Sequence, residues 1–207
     1  MTKPEIERRS FPIHEIRAES GPDATISGYA AVFGELSDDL GGFYEQIEAG
    51  AFANTLQAAD VRALWNHNAD YPLGRTRSGT LTLNEDARGL AFAIRPPDTQ
   101  YARDLLVSMN RGDVDQMSFG FTTVRDRWEQ KGGQVVRTLL EVELFDVSPV
   151  TYPAYPQTSA SVRSILDSFT TGGQAAADEA SERVLAQVRL SLRKRKLQLD
   201  QLKVMKE

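Results

Sequence analysis

Two side chains in separate apolar runs could together perform proton transfer and nucleophilic attack. His67 follows the apolar run at residues 61–65, and Ser118 lies within a second apolar run about fifty residues later. An unperturbed imidazole has a pKa of about 6.5 and can take a proton from a hydroxyl near neutral pH. A serine needs such a neighbour to become a nucleophile. The pair predicts a serine hydrolase, although a lone histidine in a strand is more often structural.

Composition restricts the class of protein. The 207 residues, 41% of them apolar, are enough for one domain of ordinary size with an appendage, and the net charge of −5 argues against a general nucleic-acid binder. The lack of cysteine excludes thiolate metal sites, and two histidines argue against a histidine-rich one. We therefore expect no metal and no cofactor. No run approaches the roughly 20 apolar residues of a membrane span, and the charged N-terminus is unlike a signal peptide, so we expect a soluble intracellular protein without a membrane partner.

The elements that must position these side chains are mainly strands. Alternating or β-branched segments predict strands, and residues 98–111 have helical spacing followed by Gly112 as a stop signal. The pattern indicates a mainly β fold with peripheral helices, namely an antiparallel β-barrel of about six to eight strands. The predicted elements are strands at 24–33, 43–47 and 61–65, hairpins at 80–94 and 117–150, and helices at 51–56 and 98–111.

Several segments resemble the tailed-phage prohead maturation proteases. These are LWNHN at 64–68 with PLGRT at 72–76, RGL at 88–90, RGDVDQMSFGF at 111–121 and LFDVSPVTYPAYP at 144–156. They follow the order expected in that family, between about residues 26 and 163. The resemblance implies a serine endopeptidase with Ser118 as nucleophile and His67 as general base, and a fold distantly similar to the herpesvirus assembly proteases.

The resemblance also implies partners and a place of action. Such enzymes act in the host cytoplasm inside the immature capsid, the prohead. They cleave scaffold or the N-terminal segment of the major capsid protein, and often themselves.

The third catalytic residue is predicted from strand alternation. If Met117 and Phe119 face the core, Ser118 faces away from it, and on the paired strand Glu141 and Glu143 share the side of the serine. A carboxylate there could orient the imidazole, and we favour Glu141. Asp146 is the alternative, because it has the opposite parity but strand ends often bulge. Each glutamate taken singly is as consistent with a solvent-exposed strand face as with a catalytic role.

The sequence leaves the roles of two further side chains undecided. Arg75, beside the histidine motif, could support the site or be a surface arginine. His14 lies in a polar N-terminal segment and is expected to be structural or exposed.

The chain is expected to have four parts. These are a flexible N-terminus at 1–10, a protease domain at 11–166, a linker at 167–174 and a C-terminal helix at 175–207. Leu185, Val188 and Leu192 form an apolar stripe on that helix, which implies homo-oligomerisation or docking. Its basic run at 193–196 indicates a solvated face, or contact with an acidic partner.

Two other functions compete with the protease hypothesis. The C-terminal helix also suits a capsid-assembly scaffold, although about thirty residues are short for one. A catalytically inactive capsid-binding β module is the other alternative. Substitution of Ser118 distinguishes both from an enzyme.

Overall fold

The chain forms ten strands and three helices within the residues that the structure describes. The computed structural model describes residues 6–11, 17–19, 21, 23–153 and 160–204, so His14 lies outside the described residues. In chain order the elements are β1 (Glu7–Phe11), β2 (Arg17–Glu19), β3 (Thr25–Val32), β4 (Tyr44–Ile47), α1 (Ala53–Ala58), β5 (Arg62–Trp65), β6 (Asn68–Arg75), β7 (Leu81–Glu85), β8 (Gly89–Ile94), α2 (Gln100–Arg111), β9 (Gln116–Lys131), β10 (Gln134–Val150) and α3 (Ala160–Val204).

The strands form two sheets. The first has the order β1-β9-β10-β5-β6, with β4 also paired to β10, and the second has the order β2-β3-β8-β7. Most pairs are antiparallel, whereas β4 and β5 run parallel to β10. The prediction of a mainly β fold with a C-terminal helix is confirmed. The described strands do not close into a barrel, because β1 and β6 end the first sheet instead of pairing with each other.

The main core lies between the two sheets. Ile26 and Phe92 from the second sheet pack in one buried cluster with Phe119 and Val142 from the first, and Phe52 before α1 joins them. Phe119 and Phe52 meet edge to face, with ring centroids 5.7 Å apart. Burial of these side chains fixes which face of β9 points inward, and hence which face carries Ser118.

The C-terminal helix packs on the domain. Gly173, at φ 70° and ψ −158°, interrupts α3, so the predicted linker at 167–174 is helical up to that break. Ala177 and Ile165, on either side of the break, are buried in a second cluster with Trp128. The segment after Gly173 is therefore anchored to the sheet, whereas we expected a separate helix. No helix in the described ranges is long and apolar enough to cross a bilayer.

The N-terminal strand is held by buried charges. We expected a flexible start through residue 10, but Glu7–Phe11 pairs with β9. Arg9 Nε lies 2.8 Å from Glu45 Oε1, and Arg137 Nη1 lies 2.7 Å from Glu7 Oε2. We call Glu7, Arg9, Glu45, Asp126 and Arg137 the buried ion cluster; Arg137 Nε also lies 2.7 Å from Asp126 Oδ2.

Candidate active site

The hairpin of β9 and β10 presents a row of polar residues on one face. Ser118 pairs with Ser148 across the two strands, and Gly120 pairs with Asp146. Phe119, between the two β9 positions, points into the core with no exposed surface. Alternation along β9 therefore places Ser118 and Gly120 on the opposite face, beside Asp146 and Ser148.

A β-bulge decides which acidic residue reaches that face. Leu144 pairs with Phe121 and Asp146 pairs with Gly120, so Phe145 is an extra residue on β10. One extra residue reverses the parity of every position after it. The bulge thus brings Asp146, which simple alternation assigns to the core side, onto the face of Ser118.

His67 sits in a two-residue hairpin turn. Trp65 pairs with Asn68 across β5 and β6, so Asn66 and His67 are the two central residues. Their φ angles are 54° and 56°. Positive φ at both central positions is the geometry of a type I′ turn, whose twist matches that of the flanking strands. Because β5 pairs with β10 at Asp146 and Val147, the turn lies over the polar row.

Three side chains form a continuous hydrogen-bonded chain. His67 Nε2 lies 2.7 Å from Ser118 Oγ, and His67 Nδ1 lies 2.5 Å from Asp146 Oδ1. With Nδ1 protonated, the imidazole donates to the carboxylate and accepts from the serine hydroxyl. The imidazole side chain is only 6% exposed, and Ser118 has no exposed surface. The arrangement can activate a serine hydroxyl in a water-poor environment.

Ser148 adds a fourth member to this chain. Its buried Oγ donates to Asp146 Oδ1 at 2.7 Å, the same oxygen that contacts His67. A hydrogen bond to a carboxylate restricts its orientation, so Ser148 helps to fix Asp146 beside the imidazole. Sequence analysis did not identify Ser148. The only indication in the sequence was its position two residues after Asp146, which places both side chains on the same face of a strand.

Glu141 and Arg75 lie away from the imidazole. Glu141 accepts from Asn54 Nδ2 at 2.8 Å and lies 3.9 Å from Arg125 Nε. It pairs with Arg125 before the bulge, and the carboxylate that contacts His67 is that of Asp146. Arg75 donates from Nε to Asp60 at 2.8 Å, and this hydrogen bond lowers the pKa of the Asp60 carboxyl.

An open cleft adjoins His67. Its volume is about 390 Å³, and its walls are Arg8, Asn66, His67 and residues 150–153. Tyr152 is 73% exposed there. Within the described ranges, no three residues of metal-binding type converge on a common point.

Sequence comparisons with known proteins agree with the resemblance. The profile of the caudovirus prohead serine proteases matches residues 13–171. The prohead protease of Enterobacteria phage HK97 is 30% identical over 175 residues, which cover 81% of this chain and 73% of that protein. The structure of the bacteriophage T4 capsid assembly protease aligns with a TM-score of 0.44 at 10% identity, over 72% of this chain and 99% of that one. The family match spans most of the chain, and the chain belongs to the caudovirus prohead serine protease family.

Proposed function

We propose that this chain is a serine endopeptidase of prohead maturation, with Ser118 as nucleophile, His67 as general base and Asp146 as the orienting acid. The observation that carries the proposal is the unbroken chain of contacts from Ser118 Oγ through both imidazole nitrogens to Asp146 Oδ1. Family membership supports the peptidase reaction.

The proposed reaction begins with proton transfer. His67 Nε2 takes the proton of Ser118 as Oγ attacks the scissile carbonyl carbon, which gives a tetrahedral oxyanion. The imidazolium then donates the same proton to the leaving amine nitrogen, and the C–N bond breaks. In the second half of the reaction water attacks the acyl carbon while His67 takes its proton, and the ester bond to Ser118 Oγ breaks as the imidazolium returns that proton to Oγ.

Asp146 has an electrostatic role in this scheme. Its carboxylate holds Nδ1 protonated, which leaves Nε2 free to accept, and it stabilises the imidazolium that forms. The hydrogen bond from Ser148 to the same oxygen helps to hold the carboxylate in place. The bulge at Phe145 supports the choice of Asp146 over Glu141, because it orients Asp146 toward the turn at His67.

The proposed substrates are capsid-assembly proteins. The family description and the name of the HK97 relative support action in the prohead. We expect cleavage of scaffold or of the N-terminal segment of the major capsid protein, and of the chain itself, inside the immature capsid in the host cytoplasm. Homo-oligomerisation through α3 stays an expectation. Leu185 of the predicted stripe is buried in this chain, whereas Leu190 and Leu197 are exposed. The kinship in fold to the herpesvirus assembly proteases rests on the sequence resemblance alone.

Co-expression of this chain with a major capsid protein and its scaffold tests the proposal. Mass spectrometry of the capsid-protein termini should show cleavage with the parent chain and none with Ser118→Ala. Ser108→Ala, a serine on α2, serves as the matched control and should cleave normally. Equal cleavage by Ser118→Ala would overturn the proposal. Proheads whose capsid proteins stay uncleaved with every variant would favour a scaffold or an inactive capsid-binding module.

A further inference from the structure

The turn that carries His67 is attached to the end of β10 through its other central residue, Asn66. We propose that Asn66, together with Thr151, is a positioning residue that holds the His67 imidazole in line with Ser118 and Asp146. The inference rests on the proposed function, in which His67 is the base, and it assigns a role to a residue that does not touch the reacting atoms.

The backbone at His67 needs an external restraint. Its φ of 56° lies in the left-handed region, where the β-carbon of an L-residue crowds the backbone. Asparagine tolerates this region well, and glycine is the residue that type I′ turns favour at the second position. Histidine at the second position therefore stores strain, and such strain persists only where the surroundings hold it.

Three hydrogen bonds supply that restraint. Asn66 N donates to Pro149 O at 3.0 Å. Thr151 N donates to Asn66 Oδ1 at 2.9 Å, and Asn66 Nδ2 lies 3.4 Å from Thr151 Oγ1. The backbone N–H group and both polar side-chain atoms of Asn66 are thus hydrogen-bonded to residues 149–151. We call these three hydrogen bonds the turn latch.

The turn latch connects the two halves of the site. Residues 149–151 directly follow Ser148 and Asp146 on β10, and Ser118 lies on the adjacent strand. The latch thus fixes the hairpin of His67 against the strand that carries its carboxylate partner. Without it the turn can relax away from positive φ, and a misplacement of about 1 Å in a catalytic group costs roughly 100-fold in rate.

Asn66→Gly tests the latch without adding turn strain. Glycine keeps the positive φ and the backbone bond to Pro149, but it removes both side-chain bonds to Thr151. We expect kcat on a capsid-precursor substrate to fall roughly 10- to 100-fold while KM changes by less than about twofold. Asn66→Asp keeps an acceptor for Thr151 N–H and should retain activity within about threefold.

Asn68→Ala is the matched control. Asn68 also belongs to this hairpin, but its Oδ1 accepts from Asp70 N–H and not from residues 149–151. We expect parental kcat from this variant. An equal loss in Asn68→Ala and Asn66→Gly would mean that general weakening of the hairpin is responsible, and would overturn the proposal.

Imidazole NMR provides a readout that does not need proteolysis. With only two histidines in the chain, a His14→Gln background assigns the His67 signals. The parent should show a downfield proton on Nδ1 from the contact with Asp146, and Asn66→Gly should lose or broaden it while the fold persists. Unchanged His67 signals, or unchanged kcat, in a folded Asn66→Gly variant would overturn the inference.

Two outcomes separate this inference from the proposed function. If Ser118→Ala abolishes cleavage and Asn66→Gly does not weaken it, the protease stands and the latch fails. If the parent does not cleave, the NMR comparison still decides whether Asn66 positions the imidazole. Should Asn66→Gly fold poorly, Thr151→Val removes only Oγ1, and a loss of about threefold in kcat is then expected. Parental kcat in Thr151→Val would count against the latch.

Discussion

Gly120 lies directly across from Asp146 on the neighbouring strand, close enough that a side chain there would collide with the carboxylate. A β-carbon placed on Gly120 would lie 2.5 Å from Asp146 Oδ2. The absence of a side chain on β9 therefore makes room for the acidic group that contacts His67. The proposed triad therefore needs a residue without a side chain at position 120.

Gly120→Ala is expected to impair catalysis more than folding. The added methyl group must displace the Asp146 carboxylate from the imidazole, and we expect kcat to fall on the order of 100-fold. Steady-state kinetics and thermal unfolding of the same preparation measure the two effects. In a double-mutant cycle, Gly120→Ala should cost much less in an Asp146→Asn background. Additive losses would contradict the idea that the methyl group acts through Asp146.

Asp146→Asn and Glu141→Gln are expected to differ sharply. An asparagine amide favours the wrong imidazole tautomer, so kcat should fall by roughly 10⁴-fold when Asp146 is replaced. Glu141 contacts Asn54 and Arg125 instead, so its replacement should change kcat by less than about threefold. Assay of both variants on one capsid-precursor substrate checks this. A larger loss in Glu141→Gln would restore Glu141 as the acid.

The buried ion cluster makes stability depend on acidic pH. Burial alone would raise the pKa of Glu7, but the charges of Arg137 and Arg9 and hydrogen bonds from Arg137 and Thr123 outweigh it and lower the pKa to about 2. A lowered carboxyl pKa stabilises the fold above the ordinary value of 4.5, and that stability is lost as pH falls toward 2. We expect Glu7 to contribute about 2–3 kcal/mol to this loss.

Urea unfolding between pH 2 and pH 7 measures that contribution. Glu7→Gln should be less stable than the parent at neutral pH and should lose less free energy of unfolding on acidification. Glu19→Gln, on the exposed β2 strand, is the control and should follow the parental curve. Parallel curves for the parent and Glu7→Gln would show that Glu7 does not titrate as described.

Truncation of α3 after Gly173 should destabilise the protease domain. The lost segment contains Leu185 and Ala177, both buried, and Ser181, which donates to Asp126 at 3.1 Å. We expect a loss of about 3 kcal/mol from the uncovered apolar surface, which lowers Tm by roughly 10 °C. Truncation after Lys194 spares these contacts and should leave Tm nearly unchanged. Equal Tm values for both truncations would indicate a helix that stands apart from the domain.

The contact between Ser118 and His67 could be predicted from sequence, because the two residue types stand out beside apolar runs. Ser118 lies in a strand, as its pattern predicted, whereas His67 lies in the turn after the predicted strand; the structure brings the two side chains within hydrogen-bonding distance. The choice between Glu141 and Asp146 could not be decided by alternation, because that choice depends on the bulge at Phe145. A single extra residue leaves the hydrophobic pattern on both sides intact and only changes its phase.

The N-terminal strand was missed for a different reason. Glu7, Arg8 and Arg9 read as a charged, solvated start, since sequence pattern shows local preference only. Their strand forms because Glu7 and Arg9 meet Glu45 and Arg137, which lie far along the chain. A charged segment that looks solvent-exposed from its composition can thus become a buried strand when partners distant in sequence pair with its charges.

The complete burial of Ser118 means that a substrate can reach it in the proposed enzyme only after a movement of the protein. A hydroxyl without solvent access can meet a peptide carbonyl only when the residues that cover it move aside. If that open form is a minor population, the apparent affinity of any reagent directed at the serine is weakened by the open fraction. If opening is also slow, its rate sets a ceiling on kcat that a higher substrate concentration cannot raise.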